Sequence, residues 1–248
     1  MQQSPHTDPG TEAFRERYRA EVMPAGYSGW RHVALVALVG PSVIAVALWL
    51  ASRSWTPGDL WVVPATLLIA NIVEYLAHRG PMHHRVKGLT LLHLRHSSRH
   101  HRYFTTEAMC FESTRDFHAV LFPPVLLMFF GGIAALLGLL ATLLLTPAGA
   151  ALFFATSMGY YLLYEVLHFL YHVPPRWPVA NIPGVRWLAK LHRLHHDPPH
   201  MLERNFNLVF PLCDWVVGTL DSGREPARTL REGASTKRAR RWKSNAAA

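Results

Sequence analysis

Long apolar runs without charge dominate the first two thirds of this sequence. Residues 33–52 carry no charged side chain, residues 60–77 are interrupted only by Glu74, and residues 119–164 hold no charge at all. A helix of about 20 residues measures about 30 Å, the thickness of the hydrocarbon core of a bilayer. The pattern therefore predicts membrane-spanning helices, and the longest run is long enough for two of them.

A turn is expected inside the longest run, where residues 146–149 read TPAG, because proline and glycine punctuate helices. The prediction is an all-α fold with four transmembrane helices and both termini on one side. A buried hairpin in a soluble helical bundle is the alternative, and it is disfavoured because soluble cores rarely sustain runs of this length.

Charge divides the chain further and orients it. The net charge is +9, and residues 222–248 supply +6 of it through eight Lys/Arg and two Glu. We expect a basic, disordered tail there that also touches anionic lipid, and no nucleic-acid partner. Four spans place only Arg53 of the 25 Lys/Arg on the far side. The positive-inside rule then makes the side of the termini cytoplasmic, with residues 1–32 as an N-terminal cytoplasmic segment and residues 33–221 as a transmembrane domain that also holds the histidine clusters described next.

Histidine is the unusual component, with 16 residues, whereas the only two cysteines, Cys110 and Cys213, form no CxxC motif. An iron–sulfur cluster or a cysteine zinc site is thereby excluded. Ten histidines form four clusters, all on the predicted cytoplasmic side. These clusters are His78 and His83; His96, His100 and His101; His168 and His172; and His192, His195 and His196.

The spacing within the clusters suits metal binding. Residues at i, i+3 and i+4 share one face of a helix, so His168 and His172 project together. His78 and His83 are five residues apart, and the intervening Gly80-Pro81 is expected to break the helix so that His83 turns back. Neutral imidazole binds iron, zinc and copper. Ten imidazoles exceed the ligands of one ion, which favours two metal ions.

At these residues the sequence resembles the fatty acid hydroxylase/sterol desaturase superfamily of integral-membrane di-iron oxygenases. The resemblance runs from Glu74 to Leu220. The motifs HFLYH and HRLHH look like the H-x3-H and H-x2-HH boxes of the family, and HRGPMH looks like the H-x4-H of its fatty acid 2-hydroxylase branch. The stretch NFNLVFPLCDWVVGT is similar to the segment that follows the last box.

The second box departs from the family pattern, because HSSRHH has three residues between its first two histidines. We prefer His96, His100 and His101 as ligands. The alternative frame uses His93 and His96 and puts Ser97 where a ligand is expected, and His84 is a further substitute. His84, His93, His118 and His200 are each expected to be structural, with a second-shell position or a role as alternate ligand as the alternative for His93 and His200.

The resemblance implies two iron ions, for which zinc substitutes in purified protein, with O₂ as co-substrate. The implied reaction is hydroxylation of a lipid C–H bond, and desaturation on the same site is the alternative. An intramembrane zinc hydrolase or a metal-binding transporter is the alternative from another class. The sequence does not identify the lipid.

Four carboxylates accompany the boxes. Glu74 and Glu165 lie four and three residues before a predicted ligand, and charge inside a membrane is costly. We expect both to orient an imidazole N–H from the second coordination shell; direct ligation or a structural hydrogen bond are the alternatives. Asp197 and Asp214 are further second-shell candidates.

Electrons are expected to come from another protein. The chain has no G-x-G-x-x-G motif and no iron–sulfur cysteine set. A separate reductase with a ferredoxin or cytochrome carrier is therefore the expected partner, while the substrate is expected to arrive from the lipid bilayer.

Overall fold

The computed structural model describes residues 9–223 and contains no β-strand in that range. The predicted tail thus lies almost wholly outside the described residues. The α-helices are Pro9–Arg17, Gly29–Ser52, Val62–Ala77, Thr90–Arg95, His101–Tyr103, Phe117–Val120, Pro124–Ala141, Pro147–Tyr171, Pro183–His195 and Leu212–Val217. Short 3₁₀ turns occupy Pro57–Trp61, Thr114–Asp116 and Pro178–Asn181, and π-helical turns occupy Tyr18–Val22, His78–Met82 and His96–His100.

Four helical segments are long and apolar enough to cross a membrane. The first to fourth spans are Gly29–Ser52, Pro57–Met82, Thr114–Ala141 and Pro147–Tyr171. Their outer surfaces expose large apolar side chains such as Leu38 and Met128, as lipid-facing helices do. The predicted all-α architecture of four spans with a histidine-rich helical cap is confirmed, and the chain is a multi-pass membrane protein.

The fourth span is the centre of the bundle and packs against the other three. Gly40 of the first span allows close approach, because a Cβ atom at this position would lie 2.6 Å from Leu162 Cδ1. Leu127, Ala134 and Met158 form a buried cluster between the third and fourth spans. Small residues at such contacts let membrane helices approach closely.

The turn before the fourth span lies earlier than expected. The third span ends at Ala141, and residues 142–145 make the reversal. Thr146 is the N-cap, and its Oγ1 accepts a hydrogen bond of 3.0 Å from the backbone N–H of Gly149. Pro147 follows at the first helical position, where its missing N–H costs nothing. Proline therefore begins this helix instead of interrupting it.

The described residues 83–113 and 172–205, which lie outside the spans, form the cap. The N-terminal helix Pro9–Arg17 packs on this cap. Arg15 is only 1% exposed, and its Nε donates to the Tyr103 carbonyl oxygen over 2.8 Å while its Nη1 contacts Glu112 at 2.8 Å. Arg19 follows and donates to the fully buried Asp116 over 2.9 Å. These contacts join the start of the described chain to the segment between the second box and the third span.

Candidate metal centre

The ten predicted histidine ligands are all buried and lie together at the cap. Nine of them form two groups, in each of which the candidate ligand atoms lie within 4.8 Å of one another. The first histidine group is His78, His83, His96, His101 and His195; the second histidine group is His100, His168, His172 and His192. The tenth, His196, lies beside the second group, with its Nε2 3.0 Å from His192 Nε2 and 3.2 Å from His100 Nε2.

A π-helical turn, and not a helix break, brings the first box together. The helix of the second span continues through His78–Met82 as a π turn with Pro81 inside it. Such a turn bonds i to i+5, so residues five apart share a face, and the rings of His78 and His83 stack at 5.2 Å. The expectation that Gly80-Pro81 ends the helix is wrong, because widening the turn accommodates the proline.

A second π turn explains the unusual second box. His96–His100 is π-helical, and His101, five residues after His96, places its Nε2 3.0 Å from His96 Nε2. The additional residue between the histidines is absorbed by the wider turn. His100 and His101 are neighbours in sequence, yet they belong to different histidine groups. His192 and His195 are divided in the same way.

Backbone carbonyl groups fix the orientation of half of the rings. The Nδ1 atoms of five histidines lie at hydrogen-bond distance from main-chain oxygens, which sets the tautomer and directs Nε2 inward. The pairs are His78 with Phe206, His100 with Ala119, His172 with Met109, His195 with Arg204 and His196 with Phe104. His83 Nδ1 instead lies 3.1 Å from Ser97 Oγ, whose hydroxyl donates to the Met82 carbonyl oxygen.

These bonds leave facing nitrogen pairs without a proton between them. A neutral imidazole has one N–H, and in His100 and His196 it is used at Nδ1, although their Nε2 atoms are 3.2 Å apart. The same holds for His83 and His195 of the first group, whose Nε2 atoms are 3.0 Å apart. Two lone pairs at this distance repel each other, and a metal ion between them would relieve that repulsion. Each group contains or borders one such pair, so the donor set fits two metal ions.

Burial keeps the imidazoles in the form that binds metal. Desolvation lowers the pKa of His100 and of His195 to about 4. Desolvation, followed by the nearby ring of His196, also holds the pKa of His101 well below its ordinary value. These side chains are therefore neutral at neutral pH, as nitrogen ligands must be.

Glu74 contacts the chain after the last box and none of the described histidines. Its carboxylate accepts hydrogen bonds from the Tyr160 hydroxyl, the Asn207 amide, and the backbone N–H groups of Leu208 and Val209. The expected bond from Glu74 to an imidazole is thus replaced by four bonds, three of which hold residues 207–209. That segment follows Phe206, whose carbonyl oxygen bonds His78.

The other three carboxylates have different surroundings. Asp214 is fully buried and accepts from the backbone N–H of Phe206 and of Asn207 at 3.0 and 2.6 Å. Glu165 accepts only the Phe122 N–H, at 3.3 Å. Asp197 lies 2.7 Å from His200, outside both histidine groups. None of the three contacts a predicted ligand through a hydrogen bond among residues 9–223.

The four histidines expected to be structural lie outside the two groups. His84 is exposed, and His93 is half-buried. His118 Nδ1 lies 2.8 Å from the Tyr18 hydroxyl, and His200 contacts Asp197. The alternative frame of the second box would need His93 and Ser97 at the centre. Ser97 instead lies beside His83, where its Oγ is 3.1 Å from His83 Nδ1.

An apolar cavity of about 300 Å³ lies between the second, third and fourth spans. It extends along the second span from Thr66 to Ala77, next to His78. Its walls include Phe122 and Ala134. Tyr160, Tyr161 and Tyr164, which precede the third box, also line it. A hydrocarbon chain fits such a space better than a charged substrate.

Comparison with known proteins identifies the relationship. The family model described as fatty acid hydroxylase matches residues 63–219, more than half of the chain. This chain belongs to the fatty acid hydroxylase family. It is also 28% identical over 214 residues to a dihydroceramide fatty acyl 2-hydroxylase of Arabidopsis thaliana, covering 80% of each protein. No solved structure matches it. The resemblance noted from the histidine boxes is confirmed, and the protein is an oxidoreductase of the hydroxylase type.

Sequence reasoning missed several polar residues that support the centre of this hydroxylase. Asn71 donates to the carbonyl oxygen of Phe210 over 2.7 Å. Asn207 bonds both Glu74 and the Asn71 carbonyl oxygen. Asn205 adopts a left-handed backbone conformation with φ of 56° and bonds the Leu191 carbonyl oxygen. The sequence signal for Asn71 is an amide within an otherwise apolar stretch, whereas Asn205 and Asn207 lie in the stretch that resembles the family segment after the last box, without a role assigned to them there.

Proposed function

We propose that this protein is a di-iron monooxygenase that hydroxylates a C–H bond of a membrane lipid acyl chain. The observation that carries the proposal is the pair of close Nε2–Nε2 contacts, one within the first histidine group and one beside the second, between rings whose Nδ1 atoms bond other acceptors. His78, His83, His96, His101 and His195 would hold one ion, and His100, His168, His172, His192 and His196 would hold the other.

The reaction balances with external electrons. When bound, the iron ions supply the oxidising chemistry that acid–base side chains lack: O₂, two electrons and two protons convert one C–H bond into C–OH and release one water. The protein keeps its ligands neutral, orients their Nε2 atoms and excludes water. The chain's two cysteines are too few for an iron–sulfur cluster, which supports a separate reductase with a ferredoxin or cytochrome as the electron donor.

The cavity supports an acyl chain as the substrate. Its lining runs along the second span from Thr66 to Ala77, a helical length of about 17 Å at 1.5 Å per residue. A lipid tail held there would present a carbon near the histidines while its far end lies deeper in the bundle. The name of the Arabidopsis relative, a fatty acyl 2-hydroxylase, agrees with this substrate class.

We also propose that the histidine groups lie on the cytoplasmic face. Arg53 is the only Lys or Arg in the loop between the first and second spans, and the loop at residues 142–146 has none. The short loops on the opposite side thus carry few positive charges, as the positive-inside rule requires for the non-cytoplasmic side.

Lipid analysis tests the reaction. Cells that express the chain should contain a lipid that has gained one oxygen atom relative to cells without it, whereas loss of two hydrogen atoms would indicate a desaturase. Protein purified from iron-supplemented cells should hold two irons per chain. A single zinc with hydrolytic activity, or full lipid oxidation after iron removal, would overturn the proposal. Zinc content alone does not decide, because zinc can replace iron during overexpression.

A further inference from the structure

The chain after the last histidine box runs along the second span, away from the histidine groups, and then returns toward them. Phe206 bonds His78, Leu208 bonds Glu74 one turn deeper, and the Phe210 carbonyl oxygen bonds Asn71 at 2.7 Å. After the helix Leu212–Val217 the direction has reversed, because the Thr219 hydroxyl lies 3.2 Å from that of Tyr75. Residues 206–219 thus form a V beside the second span, with its tip near Phe210.

The helical rise of the second span gives the depth that this V reaches. Asn71 precedes His78 by seven residues on one continuous helix, which corresponds to about 10 Å at 1.5 Å per residue. The neighbouring Ile72 and Val73 are 41% and 57% exposed, as expected for residues that face lipid. The tip of the V therefore lies level with the lipid-facing part of the second span and not with the cap.

The descending limb of the V has protein partners for the backbone N–H groups of residues 206–209, as non-helical chain inside hydrocarbon requires. Such chain is tolerated only when its polar groups find partners in the protein. Asp214 accepts from the N–H groups of Phe206 and Asn207, and Glu74 accepts from those of Leu208 and Val209. The Tyr171 hydroxyl donates to the Leu208 carbonyl oxygen. Both buried carboxylates are thereby used to satisfy main-chain donors.

The outer surface of the V is apolar and uncharged. Trp215, Val216 and Val217 are 68%, 69% and 53% exposed, and Phe210 is 48% exposed. Asp214 is the only charged residue between positions 205 and 220, and it is fully buried. A surface of this composition in water would be an aggregation hazard, but it suits contact with lipid.

We propose that residues 206–219 form a re-entrant segment that enters the hydrocarbon of the bilayer without crossing it. Its partner is the lipid itself. The segment is continuous with the lipid-facing surface of the second span and carries the carbonyl group that orients His78, so it joins the metal centre to the membrane. This inference concerns placement and does not rest on the proposed reaction.

Spin-label accessibility tests the depth of the segment. Val216→Cys and, as the matched control, Glu203→Cys are made in a Cys110→Ser/Cys213→Ser background, labelled with a nitroxide and reconstituted in phosphatidylcholine vesicles. We expect the ratio of collisions with O₂ to collisions with a water-soluble nickel chelate to be at least about tenfold higher at 216 than at 203, because charged solutes are costly in hydrocarbon. Equal ratios would overturn the proposal and indicate a water-exposed surface that awaits a protein partner.

The native chain provides a second measurement that does not depend on the variants. Cys213 lies within the segment and is partly exposed. In vesicles, it should react with an uncharged apolar maleimide at least about tenfold faster than with a charged one, after correction for the rates with free cysteine. Peptide mass spectrometry identifies the labelled cysteine. Equal corrected rates at Cys213 would contradict a position in hydrocarbon.

Discussion

The second and fourth spans differ from the first and third in what they carry. The second and fourth continue into the cap, contain His78 and His168, and bury Glu74 and Glu165 between them. Neither the first nor the third span contributes to a histidine group. The first packs against the fourth at Gly40, and the third supplies the Ala119 carbonyl oxygen that orients His100. The bundle thus divides into two helices that carry histidines of the two groups and two that support them and embed them in lipid.

This division shows where polar residues are tolerated in a membrane protein. Each buried carboxylate of the ligand-bearing spans faces protein, and Glu74 has four hydrogen-bond donors around it. Because the bilayer offers no water to polar groups, the buried polar side chains of these two helices need protein partners. Residues 33–52 and 119–141 of the first and third spans carry no charged side chain and have no such need.

The largest effect is expected from replacing a proposed ligand of the second histidine group. His100→Gln removes an imidazole whose Nε2 lies near those of His168 and His196, so lipid hydroxylation should fall by more than about 100-fold, beyond the range found for second-shell changes. Iron content per chain should fall with it. The control is His84→Gln, at an exposed histidine, which should stay within about twofold of wild type. An active His100→Gln enzyme would remove this residue from the ligand set.

A smaller effect is expected from replacing the two buried glutamates, and the loss of stability should differ between them. Glu74 accepts four hydrogen bonds, so the amide of Glu74→Gln would turn its N–H groups toward donors and cost about 1–3 kcal/mol of stability. Glu165 accepts only one, at 3.3 Å, and Glu165→Gln should cost less. Thermal unfolding in detergent compares them directly. If Glu165→Gln proves the more destabilising variant, the contrast between the two carboxylates is mistaken.

The smallest effect on turnover is expected from the first and third spans, which contribute no residue to either histidine group. Gly40→Val would place its Cβ within 2.6 Å of Leu162 Cδ1, and overpacking of this kind costs about 1–3 kcal/mol, partly relieved here by the flexible leucine. Turnover per folded molecule should not change. Gly132→Ala in the third span, where an added Cβ meets nothing within 4 Å, is the control. A loss of turnover in Gly40→Val without loss of stability would show that the first span influences the centre.

The sequence predicted the spans and the boxes because both depend on local patterns. Charge-free runs of membrane length and the i, i+4 spacing of His168 and His172 need no tertiary information. The two π turns were not predictable in the same way, since HRGPMH and HSSRHH read as a break and an irregular spacing. The backbone partners of Glu74, at Leu208 and Val209, lie more than 130 residues away. Such contacts depend on how distant segments pack, and no local pattern encodes them.

The division of the neighbouring residues His100 and His101 between the two groups has a mechanical consequence. One peptide bond joins the two halves of the centre, and the His101 ring stacks on His196 at 4.2 Å. A shift of the backbone that loosens one half must therefore displace the other. If the two groups hold two ions as proposed, loading should be cooperative, so that partially filled molecules are scarce.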